Sequence, residues 1–283
     1  MKFSDRIGVT NSKSSIQIDS MDLDLRNSLW NIYHIFFINP HKDSTTTGLQ
    51  YYGWAYTYAR GLWVNFYKHP IDKLPYAKED FFALIRKDFF SLQWYEIYNF
   101  LDFSCNYLPE HDKENFYKYS NNILTKELSG FRFINGALSP ITSETEINEI
   151  ESALNTTANK LDGVNTHLKT ALSKLSDKKN PDYRNSIKES ISAIESLCQI
   201  ITGDKKATLG QALSKIKEKI EIHKALEEGY KKIYGYASDG DGIRHSLLEK
   251  STLDFEDAKY MLVSCSAFVN YLIIKAEKAG IKI

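Results

Sequence analysis

The segment YASDGDGIRH, from Tyr236 to His245, combines a proton-transfer group with a cationic one. Its two glycines and two aspartates predict a turn, and Asp241 is typical of a residue that caps a following helix. Imidazole titrates near pH ~6.5, so His245 can accept or donate a proton at neutral pH. The Arg244 guanidinium can hold a phosphate or stabilise a pentacovalent phosphorus. Together they suit attack of an RNA 2′-hydroxyl on its neighbouring phosphate without a metal.

The same residues also fit a purely structural role. Arg244 and His245 would then pair with Asp239 or Asp241 at a helix N-terminus and take part in no reaction. Residue chemistry alone leaves both interpretations open.

A second charged set lies on a helix predicted over 183–201. Arg184 and Glu195 are eleven residues apart and therefore project in nearly the same direction, with Lys188 close to Arg184. This direction borders an apolar stripe, so we expect Glu195 to be partly buried. A structural Arg184–Glu195 pair is one interpretation. In the other interpretation, Arg184, Lys188 and Glu195, together with Asp239 and Asp241, support His245 by binding RNA or phosphate.

Other chemical patterns are missing from the sequence. The six further histidines are scattered without metal-ligand spacing, so we expect neither a metal nor a cofactor. Cys105, Cys198 and Cys265 each lie in an apolar helical pattern, which indicates reduced core thiols. The chain contains no phosphate-binding loop, dinucleotide fingerprint or G-x-S-x-G motif.

The charge balance limits the classes of partner. Thirty-six basic residues match 36 acidic ones, with 15 of each before residue 141 and 21 of each after it. Neither half has the basic excess of a protein that holds long nucleic acid by its phosphates. Apolar runs are too short to cross a membrane, and the first residues lack a secretory apolar region. We therefore expect a cytoplasmic chain with no membrane partner.

Aromatic residues divide the chain into two helical domains, 1–140 and 141–283. Of 37 aromatic residues, 29 precede residue 141, which indicates two separate cores that meet near Pro140. Apolar periodicity predicts an all-α fold. The predicted helices cover 21–38, 50–67, 79–89, 92–107, 113–128, 144–175 (one or two helices, interrupted near Gly163), 183–201, 209–220, 222–234 and 255–276. Residues 131–140 suit a short extended segment, and Gly130 suits a helix stop.

Several long segments resemble known families. MKFSDRIG, DLRNSLW, LQWYEIYNFLDF and SGFRFINGALSPITSETEI resemble the N-terminal domain of AbiJ-type abortive-infection proteins of bacteria. DYRNSIKESISAIESLCQIITG, SDGDGIRHSL and AKYMLVSCSAFVNYLI resemble the HEPN-like helical domain that follows it. The resemblance covers nearly the whole chain. It implies a C-terminal four-helix bundle that forms a homodimer, in a family with many metal-independent endoribonucleases of phage defence and toxin–antitoxin systems.

The sequence departs from the family's catalytic pattern, which is Arg, four to six intervening residues, then His. His245 matches the family's histidine, but Arg244 is adjacent to it and Asp239 lies six residues before it. Neighbouring residues on a helix diverge by about 100°, so a single active centre needs turn geometry here or a residue from a second copy.

These observations lead to two functional hypotheses. The first is an antiphage effector that cleaves RNA, with His245 as general base or acid, Arg244 on the phosphate, and an N-terminal domain that senses a phage-derived trigger or restrains the effector. The second is a catalytically degenerate HEPN-like module that binds RNA, a nucleotide or a partner protein.

Overall fold

The computed structural model describes residues 15–41, 48–49, 53–177, 180–238 and 253–283. Within these ranges the chain forms eleven α-helices and one small two-stranded sheet, which confirms the predicted all-α class. It divides into two compact units, Met1–Pro140 and Ile141–Ile283. The functional roles assigned to the two domains stay predictions.

The first unit consists of five α-helices with shorter helical turns between them. They are α1 (Leu23–Tyr33), α2 (Trp54–Gly61), α3 (Lys78–Ser91), α4 (Trp94–Cys105) and α5 (Glu110–Lys126). The first two continue as π-helices, His34–Ile38 and Leu62–Phe66. The helix predicted from residue 113 begins earlier, directly after Pro109, because proline is compatible with a helix N-terminus.

Aromatic side chains fill the core of this unit. Tyr33 and Phe37 stack with their ring centroids 4.9 Å apart, and both are fully buried. The Tyr58 hydroxyl donates to the Tyr33 hydroxyl at 3.0 Å and lies 3.0 Å from Ser104 Oγ. These three buried hydroxyls therefore have hydrogen-bond partners inside the core.

A hairpin closes the first unit. Strands β1 (Arg132–Ile134) and β2 (Ala137–Ser139) pair antiparallel, so the predicted extended segment is a two-stranded ribbon. Asn135 and Gly136 both have positive φ, as this tight hairpin turn requires. The interpretation of Gly130 as the helix stop is wrong, because α5 ends at Lys126. A Cβ on Gly130 would lie 3.1 Å from the Gln17 carbonyl, so this glycine permits a close backbone approach.

The second unit is built around one long helix. Its helices are α6 (Glu144–Thr157), α7 (Asp162–Ser176), α8 (Tyr183–Thr202), α9 (Leu209–Lys217), α10 (Lys224–Ser238) and α11 (Phe255–Lys278). Helices α6, α7, α8 and α11 pack together as a bundle, and α9 and α10 lie against α8. The predicted interruption near Gly163 lies at 158–161 instead, with Gly163 in the first turn of α7. Gly203, at φ 75°, ends α8.

The three cysteines are free and buried, as the sequence predicts. Burial raises the pKa of the Cys105 thiol to about 11 and the pKa values of Cys198 and Cys265 to about 12. Because the thiolate is the reactive form, we expect almost no reaction with a disulfide reagent in the native chain at pH ~8 and three reactive thiols after denaturation. Rapid native labelling of any one thiol would contradict this burial.

Candidate functional site

The residues with the strongest chemical signal lie outside the described residues. Asp239, Asp241, Arg244 and His245 all belong to 239–252, and so does the helix expected after Asp241. Their roles stay predictions. The structure describes the helices on either side of this segment, α10 and α11.

The N-terminal end of α8 meets the start of α11. The Tyr183 ring packs edge-on against Phe255, with the centroids 6.3 Å apart. Arg184 follows Tyr183 and is half-buried, whereas Lys188, one turn further, is exposed. Arg184 and Lys188 thus lie on α8 close to the point where the described chain resumes after residue 252.

Asp182 fixes the start of α8 at this end of the bundle. Its carboxylate accepts from the Asn185 backbone N–H at 3.2 Å and from Lys174 Nζ at 3.1 Å. The capping bond satisfies one of the free N–H groups of the first turn. The Lys174 contact joins the end of α7 to the start of α8. The capping bond and this ion pair therefore both stabilise the backbone that carries Arg184.

Glu195 contacts the helix that leads into 239–252. The Tyr234 hydroxyl, one turn before the end of α10, donates to Glu195 Oε1 at 2.8 Å. Tyr230 on the same helix stacks on Phe268 of α11 with centroids 3.6 Å apart. These two contacts hold α10 against α8 and α11. The helices before and after residues 239–252, α10 and α11, therefore both contact α8.

A direct Arg184–Glu195 pair is wrong. Both residues lie on one uninterrupted helix, so eleven residues at 1.5 Å each separate them by about 16 Å along its axis. The eleven-residue spacing makes the two side chains project in a similar direction, but they lie too far apart along the helix axis to form an ion pair.

A buried carboxylate that was not predicted from the sequence links α9 to α10. Glu227 Oε2 and Oε1 accept from Lys217 Nζ and Lys231 Nζ, each at 2.6 Å. These hydrogen bonds lower the pKa of Glu227 to about 2. The spacing from Glu227 to Lys231 is typical of a helical ion pair and signals half of this network. Lys217 belongs to another helix, so its part depends on tertiary packing.

Replacing Glu227 with glutamine is expected to lower the melting temperature at pH 7 and to have little effect near pH 2. A carboxyl whose pKa is lowered stabilises the fold above its unfolded value of about 4.5 and loses this contribution as the pH falls through about 2. Thermal melts followed by circular dichroism across this range measure the difference. Glu228→Gln, an exposed neighbour, is the matched control. An equal effect of Glu227→Gln at pH 7 and pH 2 would contradict the expectation.

A second pair of polar side chains that was not predicted from the sequence joins α7 to α8. His167 Nδ1 lies 2.6 Å from Glu189 Oε2, and both side chains are partly covered. Because the two residues belong to different helices, their sequence spacing forms no motif. The pair ties the outer faces of the two helices together.

Two kinds of feature are absent from the described residues. No group of three or more His, Cys, Asp or Glu side chains there could hold a metal ion. Among the described helices, none combines the length and the apolar character that a bilayer crossing requires.

Fold and site define an all-α protein with an aromatic-rich helical unit followed by a helical bundle. A family model for the AbiJ N-terminal domain 4 matches residues 1–156. This match covers more than half of the chain, so the chain belongs to that family, which associates it with abortive-infection defence. The match confirms the predicted AbiJ-type N-terminal domain and extends through most of α6. No curated protein and no solved structure matches the chain.

Proposed function

We propose that this chain is an abortive-infection effector whose C-terminal unit is a HEPN-type, metal-independent endoribonuclease. The observation that carries the proposal is the contact between Tyr183 and Phe255. It brings Arg184 and Lys188 close to the end of the segment that contains Arg244 and His245. RNA cleavage of this kind requires cations near a proton-transfer group, and the proposal assigns that group to His245.

The proposed reaction is a transesterification at one phosphorus atom of the RNA backbone. His245 removes the proton from an RNA 2′-hydroxyl, and the oxygen attacks the adjacent phosphorus. The bond from phosphorus to the 5′ oxygen breaks, and that oxygen receives a proton from the now protonated His245, leaving a 2′,3′-cyclic phosphate and a 5′-hydroxyl. Arg244 stabilises the charge on the phosphoryl oxygens, while Arg184 and Lys188 bind the flanking phosphates.

A second copy of the chain completes the site in this proposal. If Arg244 and His245 both lie in the helix predicted after Asp241, their side chains point about 100° apart, and one phosphate then does not meet both of them in a single chain. A symmetric pair supplies Arg244 from one copy and His245 from the other. The N-terminal unit senses a phage-derived trigger or restrains cleavage.

Incubation of the full chain with transfer RNA in EDTA tests the function. We expect cleavage in the presence of the chelator, and weaker RNA binding with a reduced rate for Arg184→Gln, because this change removes one phosphate contact. Lys169→Gln, on the exposed surface of α7, controls for the loss of one positive charge. Transfer RNA that remains intact with the wild-type chain would overturn the proposal.

A non-catalytic binding module is the second candidate. The zero net charge and the adjacency of Arg244 and His245 favour it, since neither is typical of an active HEPN nuclease. In the same experiment this alternative gives saturable RNA binding with no product in EDTA. Binding and cleavage assayed on one sample therefore separate the two functions.

A further inference from the structure

A groove in the N-terminal unit combines aromatic walls with a positive charge. It runs between α1, with its π-helical continuation, and α3, and is an open groove of about 420 Å³. Its lining includes Trp30, Asn31, His34, Phe82, Ala83 and Arg86. Binding sites for small molecules commonly enclose about 300–1,000 Å³, so the groove is large enough for a ligand.

The Arg86 guanidinium lies over two aromatic rings at one side of the groove. Its guanidinium carbon lies 5.0 Å from the Phe90 ring centroid and 6.0 Å from the Trp30 ring centroid. The side chain is nevertheless exposed, so donors at its edge can meet a ligand. A guanidinium restrained in this way loses little further freedom on binding, and its fork of N–H groups matches the oxygens of a phosphate.

The remaining lining residues suit a planar polar ring. Half-buried Phe82 offers aromatic surface, whereas Trp30 is only 7% exposed and lies beneath Arg86. Exposed Asn31 offers an amide group that can donate and accept. No carboxylate is among the described residues that line the groove, which favours an anionic ligand. The π-helix that begins at His34 forms part of the wall, and such helices are frequent at functional sites.

We propose that this groove binds a mononucleotide. Arg86 contacts the phosphate, and the base packs against Phe82 with its edge toward Asn31. The class of ligand follows from the combination, because a phosphate alone needs no aromatic wall and a purely apolar ligand needs no restrained arginine. This site lies in the N-terminal unit and does not depend on RNA cleavage by the C-terminal unit.

Titration calorimetry of the full chain with AMP, GMP, CMP and UMP tests the site. We expect saturable binding of at least one nucleotide at ligand concentrations up to about 1 mM. Adenosine or guanosine alone, and inorganic phosphate alone, are expected to bind at least about tenfold more weakly, because each makes half of the contacts.

Two charge-matched variants locate the binding. Arg86→Gln is expected to weaken nucleotide binding by about tenfold or more, because it removes the bidentate phosphate contact. Lys87→Gln, an exposed neighbour on α3 that does not line the groove, is expected to bind as the wild type does. Circular dichroism confirms that both variants are folded. The proposal is overturned by an absence of saturable binding to any of the four nucleotides, by unchanged binding in Arg86→Gln, or by an equal loss in Lys87→Gln.

Discussion

Replacing His245 with alanine is expected to lower the rate of RNA cleavage by about 10²–10⁴-fold, the usual contribution of a positioned general acid or base. In the proposed reaction no other group takes the proton from the 2′-hydroxyl. A single-turnover rate with end-labelled RNA in EDTA measures the loss, and RNA binding by the same variant is expected to change little.

A second histidine provides the control for this variant. The His111 side chain is 81% exposed in the N-terminal unit, so His111→Ala removes an imidazole with no role in the proposed site. We expect it to cleave RNA at the wild-type rate. If His245→Ala retained that rate while remaining folded and of unchanged oligomeric state, His245 would not be the catalytic group.

Replacing Phe100 with alanine is expected to lower the free energy of unfolding by about 3–5 kcal/mol. Phe100 is fully buried, and its ring centroid lies 4.8 Å from that of Tyr33, 5.5 Å from that of Phe89 and 5.8 Å from that of Phe66. Truncation to alanine removes these contacts and leaves a cavity that rigid neighbouring rings cannot fill.

Denaturant unfolding followed by tryptophan fluorescence measures the effect of Phe100→Ala. All four tryptophans precede residue 141, so the signal reports on the N-terminal unit. Phe100→Leu keeps most of the volume and is expected to cost about 1.5 kcal/mol or less. Tyr95→Ala, at a half-exposed position on the same helix, is expected to cost about 0.5 kcal/mol. A loss below about 1 kcal/mol for Phe100→Ala would show that this core is not tightly packed.

Local periodicity was sufficient to predict most of the helices. The stripe predicted on α8 is correct, because its members are all buried: Ile187, Ile191, Ile194, Cys198 and Ile201. Gly203, in the left-handed conformation, ends this helix. The π-helices after α1 and α2 were not predictable, because one extra residue in a turn hardly changes the apolar pattern and is decided by packing.

The candidate site was predictable only where its residues share an element. Arg184 and Glu195 do project from one helix, but their separation along it needed the rise per residue as well as the direction. Contacts between helices were missed, including Glu195 with Tyr234, Glu227 with Lys217 and His167 with Glu189. Each depends on how helices pack, and no spacing within one segment encodes that. The resemblance of residues 141–283 to a HEPN-like domain stays a prediction.

The central claim is that His245 drives attack of the RNA 2′-hydroxyl, and the chemical identity of the product ends tests it most directly. End-labelled RNA is incubated with the wild-type chain and with His245→Ala in EDTA, and the termini are identified by mass spectrometry. The account predicts 2′,3′-cyclic phosphate and 5′-hydroxyl ends with the wild type and no such ends with the variant. Products with 3′-hydroxyl ends, or the same cyclic phosphate from His245→Ala, would contradict it.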